Sequence, residues 1–379
     1  MVRQQSFLNQ RVSEIDITRG LFIILVTWVH VTFFVGARSL GEIFFDTVRL
    51  PEMSNGFYVV WVFSEQLAPA GFFILLGIGL AFSSERFHEY QSYLKHHIKR
   101  GAFIMLMDFI IRPLWLLAPL EVLNVGHNDN ATIFFVFGIY LNLGISVIVC
   151  ALLDRVPSYY LIVLGITGLV WSGLIDVFDD FFDDYKSLVT SLFLLPGINS
   201  GVKTTFNIIP WVSYSLLGLS YGRVLVGKPS GYVFRELFLA VVIITSVILI
   251  RLLAILPEER FWFLSKYPPN LLLSGASIVL TILTINVFRL LNVKRVICSV
   301  LESIGQNALL VYSLHFPLFI LTGFILKQLT GAYLNNGWVL HGIWVMGLFI
   351  IYRLTYWKPL SGLFIYGFDW FKSSRRNHL

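Results

Sequence analysis

Stretches of about 20 apolar residues recur along the whole of this sequence, and they limit its fold more than any other feature. About 20 apolar residues in an α-helix cross the hydrocarbon core of a bilayer. Backbone groups in lipid must be paired within the chain, and long unbroken apolar runs achieve this as helices. The sequence therefore predicts an all-α fold, a polytopic bundle of about ten transmembrane helices. The predicted spans are 20–37, 58–83, 101–119, 132–153, 158–175, 209–226, 237–256, 270–291, 305–326 and 338–357.

The composition excludes most other classes of protein. The chain is 56% hydrophobic and 13% charged, whereas a soluble domain is about 25% charged. A water-soluble globule, a disordered chain and a coiled coil are therefore excluded. The two cysteines, Cys150 and Cys298, cannot build a disulfide framework and lack metal-site spacing. The net charge of +6 indicates cytoplasmic loops and anionic lipid as its partners, and no nucleic acid.

The distribution of positive charge predicts the orientation. Most of the 28 Lys and Arg residues fall on one side of the membrane, the side that holds the N-terminus. Cytoplasmic loops carry such an excess, so we predict that both termini are cytoplasmic. We expect a single domain over residues 1–379. Residues 359–379 are predicted to form an aromatic interfacial segment and a basic cytoplasmic tail.

The first span carries three polar side chains on one stripe. In EIDITRGLFIILVTWVH, Asp16, Arg19 and His30 align at 100° per residue. Asp16 and Arg19 have the i, i+3 spacing of an ion pair. Arg19 and His30 are separated by roughly 16 Å along the helix axis. Taken singly, Arg19 could also be an anchor whose side chain reaches the lipid headgroups. His30 could also be a polar residue that hydrogen-bonds to a neighbouring helix.

Other ionisable residues within spans are also functional candidates, because each costs about 2.5–3.5 kcal/mol to insert. His315 lies in span nine at about the depth of His30, just before Pro317. Asp108 and Arg112 in span three are spaced to neutralise each other. Glu65, near the outer end of span two, is a candidate to bind or deprotonate an acceptor. For His315 and for the Asp108–Arg112 pair, a purely structural role stays open.

The outer loop before span eight reads RFWFLSKYPPN, in which adjacent prolines favour a stiff, extended segment. Lys266 and Tyr267 are thereby predicted at the membrane mouth, either in a rigid turn or against a substrate. The sequence contains no Walker loop and no HExxH, GxSxG or cysteine-rich metal motif. The candidate chemistry uses His, Arg and carboxylate, and we expect no metal cofactor.

Five stretches of this chain resemble bacterial membrane proteins related to heparan-alpha-glucosaminide N-acetyltransferase, within the transmembrane acyltransferase superfamily. They lie in the family's order and span most of the chain. They are RVSEIDITRGLFIILVTWVH (11–30), SEQLAPAGFFILLGIGLAFS (64–83), KRGAFIMLMDFIIRPLW (99–115), IIPWVSYSLLGLSYGR (208–223) with SKYPPNLL (265–272), and ESIGQNALLVYSLHFPLF (302–319).

The resemblance implies an acyltransferase of the bacterial inner membrane that modifies polysaccharides. An acyl group, usually acetyl, would pass from cytoplasmic acetyl-CoA to a sugar hydroxyl or amine of a cell-envelope or exported glycan. Arg19 and His30 match the Arg and His of the first-span motif, and His315 matches the His of a later block. Arg112 matches the Arg of the third-span block, and Lys266 and Tyr267 match the KYPP element.

These residues give a hypothesis for the mechanism. The catalytic set is His30, Arg19, His315 and Asp16. His30 acts as a general base on the acceptor or carries the acyl group itself, and His315 orients the acceptor or stabilises the oxyanion. Glu65, Lys266 and Tyr267 would bind the acceptor. The expected donor-binding cations, suited to phosphates, are Arg19, Lys99, Arg100, Arg112 and Arg223.

Two other classes of function stay open. Ten spans with internal charges also suit a transporter or flippase for a glycan or lipid-linked substrate, although the chain shows no obvious inverted repeat. A noncatalytic partner in an envelope-assembly complex is the second alternative. The acceptor, the choice between ester and amide product, and association into a homo-oligomer are not determined by these residues.

Overall fold

The computed structural model describes residues 12–36, 64, 67–115, 135–177, 192–193, 197–199, 202–204, 206–226, 271–291, 296–334 and 337–366. These residues are mainly helical. The helices are α1 (Ser13–Gly36), α2 (Ala68–Ser84), α3 (Tyr90–Trp115), α4 (Ile139–Leu152), α5 (Ser158–Val177), α6 (Ile208–Val226), α7 (Leu271–Leu291), α8 (Val296–Gln306), α9 (Ala308–Thr330), α10 (Gly337–Thr355) and α11 (Lys358–Tyr366).

The predicted all-α class is confirmed over this part of the chain. Four helices are long and apolar enough to cross a membrane, namely α1, α7, α9 and α10, and α2, α4 and α5 contain shorter apolar stretches. Nine of the predicted spans overlap helices. The start of the predicted span 132–153 is wrong, because residues 135–137 form a strand and the helix begins at Ile139. The predicted span 237–256 lies outside the described residues. The total of ten crossings and the cytoplasmic position of both termini stay predictions.

The sequence did not predict a small sheet of three strands. The strands are β1 (Phe135–Phe137), β2 (Gly197–Asn199) and β3 (Val202–Thr204), in the order β1-β3-β2. β1 pairs with β3 in parallel, and β2 pairs with β3 antiparallel. Three-residue strands are too short for an alternating apolar pattern to be recognised. Because β1 leads directly into α4 and β3 lies just before α6, the sheet ties together the starts of these two helices.

Two glycines set the close crossing of α2 and α6, the most extensive helix contact among the described elements. A Cβ atom on Gly77 would collide with the backbone oxygen of Ser215, and one on Gly218 would collide with that of Ile74. Small residues let helix backbones approach in this way, which gives close van der Waals packing in lipid.

Close contacts at glycine also hold α1 in the centre of the bundle, where it contacts α2, α7, α8, α9 and α10. A Cβ on Gly20 would meet the backbone oxygen of Leu301 in α8, and one on Gly305 would meet that of Asp16 in α1. Further along, Gly323 of α9 lies against the backbone of Phe34. These contacts fix α8 and α9 along the face of α1 that carries the polar stripe.

Two helix boundaries differ from the prediction in a way that matters for the site. α3 begins at Tyr90, well before the predicted span that starts at residue 101. The prediction followed the apolar stretch alone, whereas the helix also includes the polar residues 90–100. The ninth predicted span is preceded by a separate helix, α8, and the two helices are divided at Asn307. α9 then continues through Pro317 to Thr330.

Candidate functional site

The predicted ion pair of the first span is confirmed. Arg19 donates from Nη1 to Asp16 Oδ1 at 2.7 Å, and the same nitrogen lies 3.5 Å from the backbone oxygen of Gly305. The side chains of Arg19 and Asp16 are only 22% and 9% exposed. Nη2 and Nε of Arg19 make no hydrogen bond to the described residues, and a Cβ on Gly79 would lie 3.2 Å from Nη2. Part of the guanidinium is therefore left for a ligand.

His30 and His315, predicted at similar depths, are in direct contact. His30 Nδ1 lies 2.7 Å from His315 Nε2, which is a short hydrogen bond between two imidazoles. His315 is fully buried, whereas His30 is partly exposed. α1 and α9 carry the two residues, and the close approach of Gly323 to Phe34 holds these helices together just beyond the pair.

Aromatic side chains surround the imidazole pair. The ring centroid of Tyr312 lies 4.8 Å from that of His315 and 6.3 Å from that of His30. Phe316 lies against both imidazoles, at 4.2 and 5.1 Å. Tyr140 of α4 donates its hydroxyl hydrogen to the backbone oxygen of Tyr312 at 2.9 Å. The imidazole pair is therefore packed mainly against aromatic rings.

A cavity of about 330 Å³ lies between α1, α2, α3, α4 and the α8–α9 junction. Its charged lining residues are Asp16, Arg19, Arg86 and Arg100, which lie near the start of α1, just after α2 and in the first part of α3; we call this end the mouth. Farther along these helices and in α9 the lining is mainly apolar and includes Phe72 and Tyr312. Tyr312 therefore lies at the boundary between the cavity and the imidazole pair, since its ring also packs on both histidines.

The α8–α9 junction forms one wall of the cavity, from Gly305 to Leu310. The first turn of α9 therefore lies beside Arg19. The N-terminal end of a helix carries a partial positive charge. Gln306 and Asn307 both belong to this wall.

A second histidine pair, His96 and His97, lies at the mouth of the cavity. Ser83 Oγ lies 3.0 Å from His97 Nε2. His97 Nδ1 is buried without a hydrogen bond to the described residues. Burial, and secondarily the positive charge of His96 and Arg100, lowers the pKa of His97 from 6.5 to about 3. His97 is therefore neutral at physiological pH.

The predicted donor-binding cations do not all meet at the cavity. Arg19 and Arg100 line it, whereas Lys99 is not among its lining residues. Arg223 also lies elsewhere: its Nη1 donates to the backbone oxygen of Val156 at 2.6 Å, and its Nη2 bonds Asp154. Arg223 therefore stabilises the 153–157 turn, and the structure provides Arg86 at the cavity instead.

Several candidates fall outside the described part of the chain. Glu65, Lys266 and Tyr267 lie outside it altogether. Arg112 is in the last turns of α3, but its side chain is likewise outside the description. The expected Asp108–Arg112 pair and the three acceptor-binding residues therefore stay predictions.

Sequence reasoning missed four residues that the structure places at the site. Arg86 and His97 had a detectable signal, since each lies in a polar segment beside a predicted inner span end. Tyr312 and Tyr140 had none, because aromatic residues within spans are common and only the tertiary contacts distinguish these two. Among the described residues, no group of three His, Cys, Asp or Glu side chains is placed to hold a metal ion.

Fold and site together define a class: a polytopic helical membrane protein whose cavity has a cationic mouth and reaches an aromatic wall in front of paired imidazoles. The sequence matches the family "Heparan-alpha-glucosaminide N-acetyltransferase, catalytic" over residues 11–250. The chain belongs to this family, and it is therefore an integral membrane protein of a transmembrane acyltransferase family. The match includes Arg19, His30 and Arg100, while His315 lies beyond it. No curated protein matches the chain.

Proposed function

We propose that this protein transfers an acetyl group from cytoplasmic acetyl-CoA to a sugar hydroxyl or amine of an envelope or exported glycan. The observation that carries the proposal is the cavity, which is cationic at its mouth and apolar where it approaches the imidazole pair. Residues of this chain thereby match both ends of such a donor, phosphates at one end and a long uncharged arm at the other.

The mouth suits phosphate groups. Guanidinium groups form charge-assisted, paired hydrogen bonds with phosphate oxygens, and Arg19, Arg86 and Arg100 all line the same cavity. Of these, Arg19 keeps Nη2 and Nε unused by the described residues. The first turn of α9 adds the positive end of a helix dipole. The absence of a side chain at Gly79 leaves Arg19 Nη2 accessible, since a Cβ there would crowd it.

The cavity also has the right extent. A volume of about 330 Å³ lies at the lower end of small-molecule sites, which span about 300–1,000 Å³. The distance along α1 from Arg19 to His30 is roughly 16 Å. We infer that the donor's head stays at the mouth while its arm extends to Tyr312. The donor itself supplies an activated thioester.

His30 is the proposed catalytic base. It takes the proton of the acceptor hydroxyl or amine as that atom bonds to the acyl carbon, and it returns a proton to the sulfur as the carbon–sulfur bond breaks. His30 is partly exposed but does not line the cavity. Its accessible surface therefore opens to another space, which we assign to the acceptor. Lys266, Tyr267 and Glu65 stay in the proposal as acceptor-binding residues.

The orientation belongs to the same proposal. With the N-terminus cytoplasmic, the mouth faces the cytoplasm and its supply of acyl-CoA, in the cytoplasmic membrane of a bacterium. The acceptor side of His30 then faces outward. A transporter of glycans is the alternative, and it differs in requiring no covalent change in a bound thioester.

The test uses the full chain purified in detergent or in nanodiscs. Acetyl-CoA binding is measured by calorimetry, and donor turnover by release of the free thiol, with glucosamine as a probe acceptor. Arg100→Gln removes one cation of the mouth, and His30→Gln removes the base. Arg353→Gln is a matched control, because Arg353 is exposed in the last turn of α10 and outside the cavity lining.

We expect Arg100→Gln to weaken donor binding about 10-fold or more, which corresponds to one charge-assisted hydrogen bond of about 1.5 kcal/mol. His30→Gln should bind donor normally and release no thiol above background. Arg353→Gln should behave as wild type. Failure of the wild-type protein to bind acetyl-CoA would overturn the proposal, and binding without thiol release in the presence of a glycan pool would favour transport.

A further inference from the structure

The contact between His30 and His315 is edge to edge. The two rings are nearly parallel, with 5° between their planes and 4.9 Å between their centroids. Atoms of face-to-face rings stay about 3.5–4.0 Å apart, yet His30 Nδ1 and His315 Nε2 are 2.7 Å apart. The rings therefore lie side by side in nearly one plane, and each nitrogen points its hydrogen or its lone pair at the other.

Such a bond constrains the protons of the whole pair. A neutral imidazole carries one N–H, and its other nitrogen is an acceptor. If His30 donates from Nδ1, its Nε2 has a lone pair and His315 carries its hydrogen on Nδ1. If His315 donates from Nε2 instead, His30 carries its hydrogen on Nε2 and is unable to act as a base there.

The surroundings of His315 select the first arrangement. His315 Nδ1 is buried, and no full hydrogen bond to the described residues satisfies it. The backbone oxygens of Val311 and Tyr312, in the preceding turn of α9, interact with the His315 ring, and Nδ1 is the ring nitrogen that is not bonded to His30. These oxygens attract an N–H and repel a lone pair. An N–H on His315 Nδ1 is therefore the stable form, and it requires the hydrogen of the central bond to sit on His30 Nδ1.

We propose that His315 is a positioning residue that acts through His30. It holds His30 as a base at Nε2 and goes on accepting the hydrogen bond from His30 Nδ1 when the acceptor proton arrives at Nε2. The reaction it serves is the acyl transfer proposed above, and the inference rests on that function. In this proposal His315 acts on the acceptor only through His30, because it is fully buried and its Nε2 faces His30; this role replaces the sequence-based prediction that His315 orients the acceptor or stabilises the oxyanion.

The proton balance closes over one turnover. The acceptor proton moves to His30 Nε2, and the Nδ1 proton stays on His30, whose positive charge is stabilised by the lone pair of His315 Nε2. After the acyl carbon has bonded to the acceptor atom and separated from sulfur, His30 Nε2 gives its proton to the thiolate. Only His30 touches the reacting atoms.

The experiment combines ¹⁵N NMR of histidine-labelled full-length protein with steady-state kinetics. His315→Gln is the test variant, since an amide can present either its oxygen or its NH₂ group to His30 Nδ1 and therefore no longer fixes the position of the His30 hydrogen. His341→Gln is the matched control. His341 accepts a hydrogen bond from Trp28 Nε1 at 2.9 Å, so this variant also disturbs a histidine packed on α1, but outside the imidazole pair.

We expect the ligand-free wild-type spectrum to show His30 with N–H on Nδ1, coupled across the bond to His315 Nε2. The coupling should vanish in His315→Gln and persist in His341→Gln. We expect kcat of His315→Gln to fall about 10- to 100-fold, within the range of general acid–base effects, with the KM for acetyl-CoA unchanged.

Wild-type kcat in His315→Gln, or an N–H on His30 Nε2 in the wild-type spectrum, would overturn the inference. The NMR measurement needs no donor. Failure of the wild-type protein to bind acetyl-CoA would therefore reject the proposed function, while the spectrum would still decide the proton arrangement of the pair.

Discussion

Asp16 and Arg19 should have opposite effects on donor binding, although both line the cavity. Asp16 Oδ1 accepts a hydrogen bond from Arg19 Nη1 at 2.7 Å, and the Asp16 carboxylate thereby lies beside the proposed phosphate site. Arg19→Gln removes a charge-assisted hydrogen bond worth about 1.5–3 kcal/mol. We therefore expect it to weaken acetyl-CoA binding about 10- to 150-fold.

Asp16→Asn should instead strengthen binding. A carboxylate about 6 Å from a phosphate costs roughly 3 kcal/mol at an effective dielectric constant of 20, and salt at the cavity mouth reduces this value. A gain of about 5- to 10-fold is expected. Asp16 lies about 21 Å from His30 along α1, so kcat should not change, in contrast to the catalytic role that the sequence assigned to Asp16.

The assay is calorimetric titration of acetyl-CoA into detergent-purified variants at two salt concentrations. Arg19→Gln also leaves a buried carboxylate without its partner, which costs about 3–5 kcal/mol of stability in buried pairs. The double variant Asp16→Asn/Arg19→Gln controls for this, since it should regain thermal stability without regaining affinity. If Asp16→Asn weakens binding as strongly as Arg19→Gln does, the donor phosphates do not bind at Arg19.

Three further outcomes are expected. Tyr312→Ala should open the cavity to His30, so that donor hydrolysis without acceptor rises while transfer falls. Tyr312→Phe should retain the aromatic ring at the end of the cavity. Hydrolysis is measured by thiol release, and equal hydrolysis in the two variants would contradict this role of Tyr312. Between pH 6.5 and 3 the unfolded chain protonates His97 and the folded chain does not, so His97 should reduce the free energy of unfolding by up to about 1.4 kcal/mol per pH unit as the pH falls. His97→Gln should flatten the decline in melting temperature with falling pH, and an unchanged slope would refute this prediction. Gly305→Val should collide with the backbone of Asp16 and cost about 1–3 kcal/mol or more. A Cβ added at Gly275 meets no described residue within 4 Å, so Gly275→Val should melt near wild type; equal melting temperatures for the two variants would refute the packing argument.

Helical periodicity within one segment explains why part of the site could be predicted. Asp16, Arg19 and His30 lie on one helix, and helical periodicity alone places them on one stripe. The Asp16–Arg19 bond then follows from the i, i+3 spacing. The spans were recognisable for a similar reason, because an apolar length of about 20 residues is a property of the local sequence.

Tertiary contacts explain what could not be predicted. Whether His30 and His315 touch depends on the distance between α1 and α9, and that distance is set by Gly323 against Phe34. Arg223 shows the converse. Its charge and inner-end position suggested a phosphate ligand, but charge does not reveal that the carbonyl of Val156 and Asp154 are its partners.

The glycine contacts also determine how the cavity can change its size. Gly20 and Gly305 fix α1 to α8, Gly77 and Gly218 fix α2 to α6, and Gly101 of α3 packs directly on Gly144 of α4. Each crossing joins backbone to backbone, so the two helices of a pair have no side-chain layer over which to slide. The cavity lies among these three pairs. Room for a bulkier acyl chain must therefore come from rigid displacement of one pair against another, and the range of acyl chains accepted would be a property of the gaps between pairs.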